Sequence, residues 1–276
     1  SNREANIIKK LFSYNSSLRK NSKSFFFASI FLKSQDFKNS AKLYQFCRYV
    51  DDLVDKNVKN KQKKLNGLVF ELNGKNRIFK NKELKKIQLL IKKNILSPFF
   101  LIQLIKGVKS DIGKVVIKNQ SELLNYCYLV AGTVGIMMCN VLNVYNKKAY
   151  YFAVNLGIAM QLTNIARDII EDSEIKRVYI PKTWYKLRCS HIKNMTKEKQ
   201  EILKIATYKI IILSDKFYNS SLLGMGYLPL RSRFAILLAS QIYREIGVKI
   251  IKKNYSNLYK RESISMFGKI ICLIKC

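Results

Sequence analysis

The chain has 276 residues, 51 of them Lys or Arg and 18 Asp or Glu, for a formal net charge of +33. Its 48% apolar content is too high for a disordered polycation, and 11 Gly with 3 Pro are too few for a loop-rich all-β or collagen-like fold. The six cysteines (Cys47, Cys127, Cys139, Cys189, Cys272, Cys276) are scattered without close pairing, which excludes a disulfide scaffold and reads as reduced core thiols.

In chain order, Ser1 to Lys20 is polar and lacks the apolar segment of a secretory signal, so the cytoplasm is the expected location. Phe25–Leu32 opens the first apolar segment, and Ala41–Asp55 has helical spacing. Lys56–Lys64 reads as a basic loop, within a Lys-rich region to Lys93 that resembles an insertion. Helices are predicted over Phe99–Val108, Ser121–Val144 (with Ser121 as cap), Tyr150–Glu171, Glu201–Leu223 and Arg231–Lys252, with a helical tail near Ser263–Leu273. No useful strand alternation and no internal repeat occurs, so residues 1–276 read as a single all-α domain.

The basic excess invites a polyanion-binding reading. The lysines, however, are spread over the chain among Asn and Ile, and no helix-turn-helix, zinc finger or RNA-binding aromatic signature occurs. No nucleic-acid partner is therefore expected. The surface would still attract phosphate-bearing substrates and the anionic face of a membrane. Two uncharged stretches, Leu123–Asn146 and Ala149–Ala166, are long enough to suggest membrane spans. Their Asn, Gln and Thr residues fit better with central helices walling a polar-floored cavity.

The scarce acids gather at two places: Asp51, Asp52 and Asp55, then Asp168 and Asp172. At about 100° per residue, Tyr44, Arg48, Asp51 and Asp55 form one stripe, and Gln161, Asn164, Asp168 and Asp172 form another. The second stripe is a narrow polar line on a helix otherwise apolar around its circumference, the reverse of a surface helix. Carboxylates one turn apart repel, so something positive should offset them. An all-oxygen donor set suits Mg²⁺, with Mn²⁺ as the other divalent ion that fits. Zinc would want Cys or His, and the lone His191 reads as a surface residue. Mg²⁺ held by few carboxylates completes its shell with water and phosphate oxygens, so facing stripes predict a bound diphosphate. On spacing alone, a metal site and a solvated acidic face stand level.

The segments Tyr44-Gln-Phe-Cys-Arg-Tyr-Val-Asp-Asp-Leu-Val-Asp55 and Gln161-Leu-Thr-Asn-Ile-Ala-Arg-Asp-Ile-Ile-Glu-Asp172 resemble the two aspartate-rich motifs of the squalene/phytoene synthase family. Arg177-Val-Tyr-Ile-Pro181, Val130-Ala-Gly-Thr-Val-Gly135 and Asn21-Ser-Lys-Ser-Phe25 are similar to further family segments, in the same order, and the likeness is strongest to bacterial members. The resemblance implies an isoprenoid synthase helical bundle around a central cavity. Asp51, Asp55, Asn164, Asp168 and Asp172 would hold or support metal. Tyr44, Arg48, Gln161, Arg167 and Tyr243 would contact diphosphate or position substrate, and Ser22 and Ser24 would touch phosphate at the cavity mouth.

The expected reaction joins two geranylgeranyl diphosphates head to head to phytoene with Mg²⁺ and without NADPH. Farnesyl diphosphate, giving dehydrosqualene, presqualene diphosphate or squalene, is the alternative within the family. A non-catalytic basic helical protein on membranes or nucleic acid is the alternative outside it. Phe25, Phe26, Met137 and Met160 are candidate cavity walls, and Gly132, Gly135 and Gly157 either make room for a prenyl chain or allow close helix packing. Charge and a greasy product together suggest peripheral contact with the inner face of a membrane.

Overall fold

Asparagine does much of the punctuation that glycine and proline do in other chains. The computed structural model describes residues 23–276 except 57, 75, 76 and 275, with side chains from residue 26 onward. Helix α1 (Lys23–Ser29) leads into α2 (Ser34–Asp55), and α3 (Lys61–Asn73) and α4 (Lys82–Lys92) follow. The Asn81 side chain caps α4 by accepting from the backbone N–H groups of Glu83 and Leu84 at 2.8 and 3.2 Å. The region expected as an insertion is thus two regular helices. They bury Leu65, Leu68, Leu72, Leu84, Ile87 and Ile91 against α2 and α5 (Pro98–Lys109), while their lysines face outward.

Helix α6 (Gln120–Cys127) is capped by Asn119 rather than Ser121: Asn119 Oδ1 accepts from Glu122 N at 2.9 Å, and Glu122 reaches back to Lys118 N at 2.5 Å. A single π-helical turn, Tyr128–Gly132, joins it to α7 (Thr133–Val141). The run Gln120–Val141 is long and apolar enough to cross a membrane, yet over half of its most apolar window is buried inside the bundle. Helix α8 (Lys147–Arg167), capped by Asn146, stops at Asp168, and α9 (Ile169–Glu174) resumes after it. The remaining helices are α10 (Cys189–Lys193), α11 (Lys197–Leu222), α12 (Leu230–Lys252) and α13 (Met266–Ile274). Asn94, Asn143 and Asn254 adopt the left-handed conformation just past α4, α7 and α12, where glycine is the usual choice.

The fold is all-α apart from a two-residue parallel pairing of β1 (Val115–Val116) with β2 (Arg177–Val178), too short to leave an alternation in the sequence. Helix α8 is the axis of the bundle, packed on α7, the π turn, α11 and α12. The glycines follow from this. A Cβ at Gly135 would sit 2.2 Å from the Ala153 carbonyl oxygen, and one at Gly157 would sit 2.3 Å from that of Ala131. Both glycines let backbones touch, and Gly132 is filled by Tyr128 and Val154, so all three serve close packing, while Gly135 and Gly157 also line the cavity.

An apolar cavity runs along α8 between α7 and the α11–α12 corner. Met160 stands on its wall as expected, but Met137 and Phe26 are ordinary core, and the Phe25 side chain lies outside the described residues.

Candidate active site

Helix α2 delivers Tyr44, Arg48, Asp51, Asp52 and Asp55 near its C-terminal end, and its apolar side (Leu43, Phe46, Val50, Val54) anchors it in the core. Two of its three repelling acids are paired with cations. Arg48 pairs with Asp52 at 2.8 Å, Lys56 takes the other Asp52 oxygen at 2.7 Å, and Arg177 Nη1 donates to Asp55 at 2.8 Å. Asp51 has no ion-pair partner among the described residues. Burial first, and the Asp55 charge second, raise its carboxyl to a pKa of about 7.

The second stripe is not one continuous helix. The chain departs from helical geometry at Asp168, although Asp168 N still donates to Asn164 O (2.9 Å) and Asp172 N to Asp168 O (2.8 Å). Asp168 is gripped by two guanidinium groups. Arg167 donates at 2.7 and 2.5 Å, and Arg261, 93 residues further on, at 2.9 and 3.3 Å. Asn257 holds that distant segment in place by donating to Ala166 O at 2.8 Å. Gln161 Oε1 accepts from Asn164 Nδ2 at 3.3 Å, and Tyr243 on α12 lies near enough to Arg167 to act on its charge. Asp172 is raised to about 8, by burial first and by Asp168 next. Asp55 and Asp111 add to that shift, so the two stripes face one another across a shared field.

Between them sits a group that the motif spacing does not reveal. Asp111, buried after α5, accepts from Tyr126 Oη at 2.8 Å and from Tyr179 Oη at 2.7 Å. The two phenols are 3.1 Å apart and their rings stack at 4.8 Å. Burial pushes the Asp111 carboxyl up, and the nearby Arg177 charge opposes that shift. Arg177, itself 8% exposed, reaches this cluster because the β1–β2 pairing carries it inward to Asp55. Arg177 and Tyr179 belong to a segment singled out in the sequence without a role. Asp111 and Tyr126 had no local signal, beyond Asp111 being one of few acids in a basic chain. Arg261 had none either. Of the remaining expected contacts, Ser22 and the Ser24 side chain lie outside the described residues.

The donors present fit a hard divalent ion. They are carboxylate and amide oxygens only. Asn164 Oδ1 and Glu171 Oε2 are buried without a hydrogen-bond partner among the described residues, and burial together with neighbouring carboxylates holds Asp51 and Asp172 above their usual range. Among the described residues no three His, Cys, Asp or Glu side chains are grouped closely enough to hold an ion by themselves.

Comparison with known proteins agrees with this geometry. The family model described as "Squalene/phytoene synthase" matches residues 18–267. The 15-cis-phytoene synthase of Enterobacter agglomerans is 29% identical over 265 residues, covering 92% of this chain and 90% of that protein. The phytoene synthase of Thermus thermophilus is 36% identical over 175 residues, covering 62% of this chain and 58% of that protein. A crystal structure of a ligand-bound dehydrosqualene synthase superposes with a TM-score of 0.83 at 26% identity, covering 97% of this chain and 95% of that one. With its two facing aspartate stripes, its cavity and this match over nearly the whole chain, the protein belongs to the squalene/phytoene synthase family, enzymes that transfer prenyl groups.

Proposed function

We propose that this protein condenses two geranylgeranyl diphosphates head to head to phytoene, releasing two diphosphates, with Mg²⁺ and without NADPH. The observation that carries the choice of substrate is the depth of the cavity. Along α8, its lining residues run from Met160 to Ala149, 8 and 19 residues before Asp168, or about 12 and 28 Å away at 1.5 Å per residue. An extended geranylgeranyl chain reaches about 20 Å and a farnesyl chain about 15 Å, at carbon–carbon bonds near 1.5 Å. The longer chain enters well, whereas the shorter one stops near the start. The names of the bacterial relatives point the same way.

Asp51, Asp55, Asn164, Asp168 and Asp172 are the groups that would hold Mg²⁺, which when bound neutralises the departing diphosphate. Arg48, Arg167 and Arg261 offer guanidinium donors at the same end, and Gln161 and Tyr243 position the substrate beside them. Breaking the allylic C–O bond sends its electron pair out with diphosphate. The second substrate's double bond attacks the cation, a proton leaves, and a cyclopropylcarbinyl diphosphate results. A second ionisation, a rearrangement and another proton loss give the hydrocarbon. The chain's contribution after ionisation is exclusion of water, from a cavity walled by side chains such as Met138, Leu156, Met160 and Met225.

The test incubates the protein with Mg²⁺ and either geranylgeranyl or farnesyl diphosphate, with and without NADPH, and identifies the extracted hydrocarbon by mass. A forty-carbon product without NADPH is expected. A thirty-carbon product from farnesyl diphosphate, the reading that the likeness to a dehydrosqualene synthase favours, would move the substrate within the family.

A further inference from the structure

One wall of the cavity lies against the protein surface, which there combines exposed leucines with cations and carries no acid. Phe152 and Gly224 both line the cavity, and they press together so tightly that a Cβ on Gly224 would fall 2.2 Å from Phe152 Cβ. On its outer side Phe152 stacks with Tyr227 (6.1 Å, 25°) and meets Tyr151 edge-on at 5.3 Å. Around this floor are the most exposed leucines of the α11–α12 corner, Leu223 at 74% and Leu230 at 77%, with Tyr151 at 62%. The exposed cations Lys147, Lys148, Lys216 and Arg231 belong to the same three helix ends. No acidic residue occurs from Asn140 to Arg167 or from Lys216 to Arg244, the two segments that build this corner.

We propose that this corner docks the protein on an anionic lipid bilayer, with Leu223 and Leu230 in the acyl boundary, tyrosines at headgroup depth, and the four cations on lipid phosphates. Each feature matches what an interface demands. Isolated apolar side chains insert, amphipathic tyrosines sit at the boundary, and Lys or Arg without competing carboxylates meet negative headgroups. Charge favours lipid over a second copy of this chain, because two such basic corners would repel. The docked orientation sets the cavity floor, one aromatic layer thick at Phe152, against the membrane. Use of that floor as the route for a hydrocarbon product rests on the function proposed above. The docking itself does not.

Flotation of the full chain, without substrate, with vesicles of phosphatidylcholine alone or mixed equally with phosphatidylglycerol tests the proposal. The protein floats with the mixed vesicles at low salt, at least roughly tenfold more than with phosphatidylcholine alone, and loses this as salt rises. Leu223→Glu combined with Leu230→Glu lowers flotation at least roughly tenfold, with an unchanged melting temperature and unchanged turnover of detergent-dispersed substrate. The triple variant Lys147→Gln, Lys148→Gln, Arg231→Gln, which touches only exposed charges, also lowers it. Phe267→Glu with Ile274→Glu, on the exposed apolar side of α13, leaves it intact. Flotation of the leucine or triple variant equal to the parent, loss in the α13 variant instead, or a parent that never floats would each overturn the proposal. Hydrocarbon formation in detergent is scored separately, so a failed function and a failed docking surface are told apart.

Discussion

Arg177 acts on three of the site's carboxyls. It donates to Asp55 and its field reaches Asp111 and Asp172. Its removal leaves the buried Asp111 without a neighbouring cation and the more exposed Asp55 unpaired, so Arg177→Met should lower stability by about 1–3 kcal/mol, read from urea unfolding, and abolish measurable turnover. Arg177→Lys should recover only part of both, because an ammonium cannot reproduce the guanidinium fork. Asp51 and Asp168 differ in kind. One has no ion-pair partner among the described residues, and the other is held by two arginines. Asp51→Asn and Asp168→Asn should each cut turnover at least roughly a hundredfold while the circular dichroism spectrum stays that of the parent. Only Asp168→Asn should also loosen the segment after α12, because it removes the partner of Arg261. Hydrogen exchange over residues 256–265 would show the difference.

Glu262 links residue to element. Burial pushes its carboxyl up, but hydrogen bonds from Lys249 and Ser256 and the charges of Lys249 and Lys253 outweigh burial, so its pKa lies below the usual 4.5. A depressed folded pKa means stability that is present above the unfolded value and lost as pH falls through the folded one. The melting temperature should therefore fall as pH drops below about 4.5, and Glu262→Gln should flatten that part of the curve. Among the helices, the contact of α8 with α7 and the π turn gives a sharper contrast. Gly135→Ala or Gly157→Ala drives a methyl group into a backbone carbonyl and should cost about 2–3 kcal/mol in thermal unfolding. Gly67→Ala, on the open side of α3 with nothing within 4 Å, should instead stabilise by about 0.5–1 kcal/mol. The π turn at Tyr128–Gly132 packs on the middle of α8, where Ala131 meets Gly157, whereas the break at Asp168 lies at the C-terminal end of that helix.

At the scale of the whole molecule, the cavity is a ruler laid along α8. Leu156 stands 12 residues before Asp168, or about 18 Å, between the reach of the two candidate chains. Leu156→Trp should therefore depress forty-carbon product at least roughly tenfold relative to thirty-carbon product when both substrates are supplied, measured by mass after extraction. A product ratio unchanged by the substitution would remove the depth argument.

The sequence by itself determined the all-helical class, the approximate spans of the long helices and both aspartate stripes. Those are local properties: apolar spacing at three and four, few breakers, and carboxylates one turn apart are written within a dozen residues. Its errors were local too. The two helices within the basic run 56–93 were missed because lysines hid an apolar stripe of leucine and isoleucine, and Asn119 was passed over as a cap for the neighbouring Ser121. Tertiary structure alone decided what joins across long separations. It brought Asp111 to Tyr126 and Tyr179, Arg177 to Asp55 over 122 residues, and Arg261 to Asp168 over 93. It also decided that the glycines bring backbones together and that Phe152 and Gly224 close on one another in the cavity wall. The physical reason is that a helix's period records which face is buried, not what it is buried against. Partner choice follows from packing every face at once, and only the assembled bundle contains that information.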